Sequence, residues 1–103
     1  MGDFIFDVET PLGFKVRCTK GYWENTILRK HTVLSNKLDE IIKTLKDPSF
    51  IRQSKKDETV YLFYTGSSPR WMCAVIKDRK DYGFLITAYP TDAVKEGEEI
   101  WKK

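Results

Sequence analysis

GYWENTILRKHTVLSNKLDEIIKTLKDPSFIRQS, residues 21–54, is the stretch whose reading decides the fold. Its period changes twice. Trp23, Ile27 and His31 stand four residues apart, so they line one stripe of a helix, and Leu28 widens that stripe. His31 is the only histidine of the chain and ends the stripe. Asn36 is placed to cap a second helix, with Asp39 three residues on. Leu38, Ile41, Ile42 and Leu45 form its apolar face, while Lys37, Lys43 and Lys46 point to solvent. Asp47-Pro48 stops it, because the residue before a proline is pushed out of helical geometry. From Phe50 the period falls to two, and a short strand closes on Ser54.

Working outward, both flanks read as strand. Towards the N-terminus, Phe4, Phe6 and Val8 alternate with Ile5, Asp7 and Glu9. Thr10-Pro11-Leu12-Gly13 is a turn, and Phe14, Val16 and Cys18 alternate again. Towards the C-terminus, Lys55 to Glu58 is a charged turn and Thr59 to Tyr64 a strand rich in β-branched and aromatic residues. Residues 65–69 read as a loop, Trp71 to Lys77 as a strand, and Phe84 to Tyr89 as a last strand stopped by Pro90. In that strand Leu85, Thr87 and Tyr89 share a face. The tail from Thr91 is acidic and reads as mobile, with Ile100 and Trp101 docking its end. The expected fold is α+β: an N-terminal β-hairpin, two helices, then a four-stranded antiparallel β-meander with the helices packed on one face.

Composition sets the outer limits. A chain of 103 residues is read as a single domain, 1–103. No window is apolar enough to span a bilayer, so no membrane is expected. The start MGDFIFDVET carries acids where a secretory signal has a basic region. Cys18 and Cys73 lie far apart in apolar strands and read as buried thiols, and the expected location is cytoplasmic. One histidine and no paired cysteines argue against a structural metal, and no glycine-rich nucleotide cradle is present, so neither metal nor cofactor is expected. The net charge of +3 leans mildly toward anionic partners.

What remains is acid–base chemistry on a phosphodiester without a metal. That needs a group of near-neutral pKa to take a 2′-hydroxyl proton, which His31 can be. It also needs cations and hydroxyls around the phosphate, which Arg52, Ser54, Tyr64 and Thr87 can supply if the meander places them under the helix. Tyr61, Trp71 and Tyr89 can stack unpaired bases. Taken singly each has a plainer reading: a helix-end histidine, a strand-end hydroxyl, half-buried sheet tyrosines, a good β-former and a solvated arginine.

The pattern as a whole carries more. LRKH ends one helix, LKDPSFIRQS follows the next, and VYLFY, MCAVIK, GFLITAYPTD and GEEIW come in that order. Over Tyr22 to Trp101 this resembles the barnase–EndoU–colicin–RelE-like ribonuclease superfamily, in its small phage-type and bacterial stand-alone members. The resemblance implies a metal-independent RNA endonuclease, toxin-like, leaving a 2′,3′-cyclic phosphate and held by a cognate antitoxin or inhibitor protein. It implies His31, Ser54, Tyr64 and Thr87 as site residues. Arg52 joins them by strand geometry, two residues from Ser54 and so on the same face. Some members use two histidines; here the acid is left to Tyr64, a lysine or a water. The other expectation, from a different class, is a non-catalytic module of the same fold that binds a protein partner or RNA.

Overall fold

A computed structural model describes residues 3–95 and 97–103. It is α+β. Seven strands form one sheet: β1 (Phe4–Glu9), β2 (Lys15–Thr19), β3 (Phe50–Gln53), β4 (Val60–Ser67), β5 (Arg70–Asp78), β6 (Gly83–Thr91) and β7 (Glu98–Lys102). Their order across the sheet is β1-β2-β6-β5-β4-β3-β7. The strands β3 to β6 follow one another antiparallel. The expected meander is incomplete in two respects. The hairpin joins it, with β2 lying parallel to β6 through Val16–Gly83 and Arg17–Phe84. The tail is not loose either, since β7 pairs antiparallel with β3 and sets Trp101 opposite Ile51 on the core side. The sheet is therefore mixed. No helix among the described residues is long and apolar enough to cross a membrane.

The helices cover one face. The first helical run, residues 20–30, holds a π turn at Trp23–Ile27, where the Leu28 amide reaches the Trp23 carbonyl. Trp23 and Ile27 are buried, as their spacing requires. His31 has already left helical geometry, although its amide still closes the last turn on the Ile27 carbonyl at 2.9 Å. A 3-10 turn, Thr32–Asn36, comes next, so Asn36 ends a turn and caps nothing. Lys37 is the N-cap of the second helix, Leu38–Lys46, and gives it no side-chain bond. Ile41, Thr44 and Leu45 of that helix are buried against the sheet with Leu34, Phe63, Met72, Ala74 and Ile76.

Two bulges re-aim side chains that simple alternation misplaces. The β1–β2 register slips between Phe4 and Phe6, so Phe6 is buried while Phe4 turns to the other face and is exposed. The β5–β6 register slips between Val75 and Ile76, which puts Leu85 in the core and leaves Thr87 and Tyr89 facing away from it. Two expected stops also fail. The strand from Val60 runs through Gly66 to Ser67, and β6 runs through Pro90. Beyond Phe84 one side of β6 has no strand partner, and an edge is where a proline is tolerated.

Candidate functional site

Strand pairing assigns the faces. Ile51, Phe63, Ala74 and Ala88 stand in one cross-strand row and point to the helices. The neighbouring rows point the other way. One is Arg52, Leu62, Val75 and Thr87; the next is Phe50, Tyr64, Cys73 and Tyr89. The expectation that the site residues gather under a helix is therefore corrected: Arg52, Tyr64, Trp71, Thr87 and Tyr89 share the helix-free face. Tyr61 does not. It packs with the core on the helix side, its ring 6.0 Å from that of Phe14.

The chain crosses this face once more between β6 and β7. Val94 packs against the cluster of Leu62, Tyr64 and Cys73, and the Lys95 amide donates to Tyr64 Oη at 3.1 Å. Arg52 Nη1 donates to the Gly97 carbonyl at 3.2 Å. Gly97 suits this crossing because a Cβ there would stand 2.7 Å from the Gln53 carbonyl oxygen. Lys95 Nζ lies 5.3 Å from the centre of the Tyr89 ring, and the His31 ring lies 6.2 Å from the same ring. His31 thus stands beside Tyr89 at the edge of β6.

A cavity of about 360 Å³ opens over the first of these rows. Its lining is Leu62, Val75 and Val60 from the strands, with Ser54, Lys55, Lys56 and Lys95 around them. No acid among the described residues lines it. Ser54 Oγ accepts the Lys56 amide at 3.2 Å, which holds the turn that presents both lysines. In the row beneath, Arg52 and Thr87 stand on β3 and β6. Three strand spacings separate them, about 14 Å. Arg52, Tyr64, Thr87 and Tyr89 share a face without converging on one atom.

The interior of the face is short of acceptors. Among the described residues, four buried side-chain polar atoms have no hydrogen-bond partner: Arg17 Nε, Arg52 Nε, Thr87 Oγ1 and Tyr89 Oη. Three of them belong to these two rows: Tyr89 Oη stands beside the Cys73 thiol, a weak acceptor, while Arg52 Nε and Thr87 Oγ1 are donors with no acceptor at all. Buried polar groups are almost always paired, so a cluster of unpaired donors calls for a reason. Burial pushes the Tyr64 hydroxyl up to about 12. It raises Tyr89 further, with the neighbouring Cys73 adding to the effect. Burial also lifts the Cys73 thiol to about 11, against a partial offset from the hydroxyls of Tyr89 and Tyr64. Tyr64 is fully buried, tied to Lys95, and poorly matched to proton transfer near neutral pH. Its place here is structural.

In the sequence Lys95 lies in the acidic stretch after Pro90, where no pattern marks a site, and Lys55 and Lys56 stand out only as part of a charged turn. Both cysteines are free and buried, as expected. No three His, Cys, Asp or Glu side chains group as a metal site among the described residues. Comparison with known protein families, with curated proteins and with solved structures gives no match to this chain.

Proposed function

We propose that the helix-free face binds and cleaves unpaired RNA by metal-independent acid–base chemistry. The strand of RNA lies across the sheet, with successive phosphates served by different strands. At the β6 end His31 takes the 2′-hydroxyl proton, and Lys95 offsets the charge that grows on the phosphate. At the β3 end Arg52, Ser54, Lys55 and Lys56 hold a neighbouring phosphate. The 2′-oxygen displaces the 5′-oxygen, which leaves with a proton from a lysine or a water, and the product is a 2′,3′-cyclic phosphate end. This division of labour replaces the single phosphate site that the sequence suggested, since about 14 Å is too wide for one phosphate.

The observation that carries the reading is the cavity: three lysines and a serine, with no acid among the described residues that line it, in line with a row whose ends hold the unpaired donors of Arg52 and Thr87. Donors without acceptors fit a ligand made of acceptors, and phosphate oxygens only accept. The family resemblance adds the RNA and the toxin-like setting, with an antitoxin or inhibitor as partner.

The test is incubation with long single-stranded RNA and with tRNA in the presence of a chelator, reading fragment ends. Cyclic-phosphate ends that vanish in His31→Ala support the reading; a loss of about 10²- to 10⁴-fold is expected for a general base. A loss below threefold removes His31 from the mechanism. RNA binding without cleavage supports the second reading, a non-catalytic module, which is favoured by one fact: the cavity is lined without His31.

A further inference from the structure

A second cavity, of about 230 Å³, opens on the same face at the hairpin end. Arg17 stands opposite Phe84, and Phe84 opposite Lys77, in the row next to Val75 and Thr87. The cavity is lined by Phe4, Arg17, Tyr22, Arg79, Tyr82 and Phe84, above Cys18, Thr19 and Leu85. It is aromatic and cationic together. The Arg17 guanidinium lies 5.3 Å from the centre of the Phe4 ring and 4.7 Å from that of Tyr82. The Arg79 guanidinium lies 4.7 Å from the centre of Phe84, and Tyr22 meets Phe84 edge-on at 6.4 Å.

Several features of the chain make sense only here. The bulge in β1 turns Phe4 away from the core, leaving 48% of it exposed, and sets it over Arg17. Arg17 Nε is the fourth buried atom without a hydrogen-bond partner; Asp7 Oδ2 is 3.5 Å away, near enough for charge and too far for a good bond. The volume lies below the roughly 300–1,000 Å³ of drug-sized pockets, so it suits one flat ring system and not a large cofactor. Rings and guanidinium planes are the surfaces on which unpaired bases stack. The two arginines select further. A guanidinium only donates, and guanine presents two adjacent acceptors, O6 and N7, where adenine and cytosine present an amino donor. The lysine cavity is close: Phe84 is one strand and one row from Val75, roughly 8–10 Å.

We infer that this pocket takes an unpaired guanine base of the RNA whose phosphates lie in the lysine cavity. The inference rests on the RNA reading above and adds a base preference to it.

The experiment is calorimetric titration with GMP, AMP, CMP and UMP, alongside mapping of cut sites. GMP is expected to bind at least about fivefold more tightly than AMP and CMP, whose amino groups meet the guanidinium as donor against donor. Arg79→Ala, in an exposed turn, should weaken GMP by about fivefold to a hundredfold, as loss of an arginine–guanine pair does. Tyr82→Ala should weaken it as well, and Lys43→Ala, exposed on the second helix and outside the pocket lining, should bind GMP like the wild type. Equal affinity for the four nucleotides, or wild-type affinity in Arg79→Ala, overturns the pocket. RNA cleavage with no guanine preference overturns the pocket and leaves the nuclease standing. Selective GMP binding that Arg79→Ala weakens, in a protein that cuts no RNA, keeps the pocket and overturns the nuclease.

Discussion

The backbone amide of Lys95 donates to the hydroxyl of Tyr64 at 3.1 Å, and this bond fixes the β6–β7 crossing over the helix-free face. Tyr64 is fully buried and stacks on Phe50, ring centres 4.9 Å apart. Tyr64→Phe keeps the stack and removes the acceptor. A net hydrogen bond is worth about 0.5–1.5 kcal/mol, and a stranded amide costs about 1–3 kcal/mol. Urea unfolding of Tyr64→Phe should therefore show a loss of about 1–2 kcal/mol with an unchanged slope. A loss under about 0.3 kcal/mol, inside the noise of extrapolation, means that the crossing is held by other contacts.

The same tyrosine sets the alkaline limit. Its hydroxyl is pushed up to about 12 by burial, above the unfolded value of about 10. Tyr89 is shifted in the same direction, again chiefly by burial. A raised folded pKa means that the neutral form is favoured in the fold. That contribution is complete below pH 10 and is lost as the pH climbs through 12. The wild type should lose stability steadily across this window, and Tyr64→Phe should flatten the loss. Parallel curves for the two proteins would show that Tyr64 ionises as freely folded as unfolded.

Much of this architecture is legible in the chain, and the failures share a cause. Trp23 and Ile27, and Ile41 and Leu45, announce their helices because apolar spacing is set by the helix itself. The order hairpin, helices, meander follows from the same periodicities. What periodicity does not carry is an inserted residue. The slips beside Phe4 and Ile86 each reverse a face, and nothing in FIFDVE or GFLITAY marks them. Nor does a local pattern reveal that β2 lies beside β6, or that EEIWK finds the free edge of β3. The site suffered the same way. Arg52, Thr87 and Tyr89 stand out in the sequence by their chemistry, and the sheet puts them on one face. The reach between β3 and β6 is a matter of strand order, and strand order decided that they serve separate points.

At the acid end, Asp57 is the group to watch. Thr59 donates to its Oδ1 twice, by the hydroxyl at 2.6 Å and the amide at 3.0 Å, and Lys77 Nζ lies 3.3 Å from Oδ2. These bonds, the Thr59 hydroxyl first, hold the carboxyl down to about 2. A depressed folded pKa contributes stability that is present above the unfolded value of about 4 and lost as the pH falls toward 2. Wild type and Asp57→Asn should differ at pH 6 and converge by pH 2, followed by thermal unfolding. A difference that persists unchanged to pH 2 assigns the effect to packing of the turn and not to the charge.

Salt dependence separates the lysine cavity from a general stickiness of a +3 chain. Each phosphate neutralised on a single strand contributes about −0.7 to the slope of log K against log salt. Lys55, Lys56 and Lys95 line the cavity, so three phosphate contacts predict a slope near −2, and Arg52 takes it lower if its guanidinium joins them. Removing one of these cations should lift the slope by about 0.7 and weaken binding of all sequences alike, because a phosphate contact carries no base information. Arg79→Ala should behave differently, losing guanine preference along with affinity. Lys43→Ala supplies the control: it lies on the solvent side of the second helix, far from the cavity lining, and should leave the slope unchanged. The measurement is fluorescence anisotropy of a labelled single-stranded RNA with the non-cleaving His31→Ala protein, from about 50 to 200 mM salt. If Lys43→Ala shifts the slope as much as Lys56→Ala does, the RNA is held by diffuse charge and the cavity has no special claim on it.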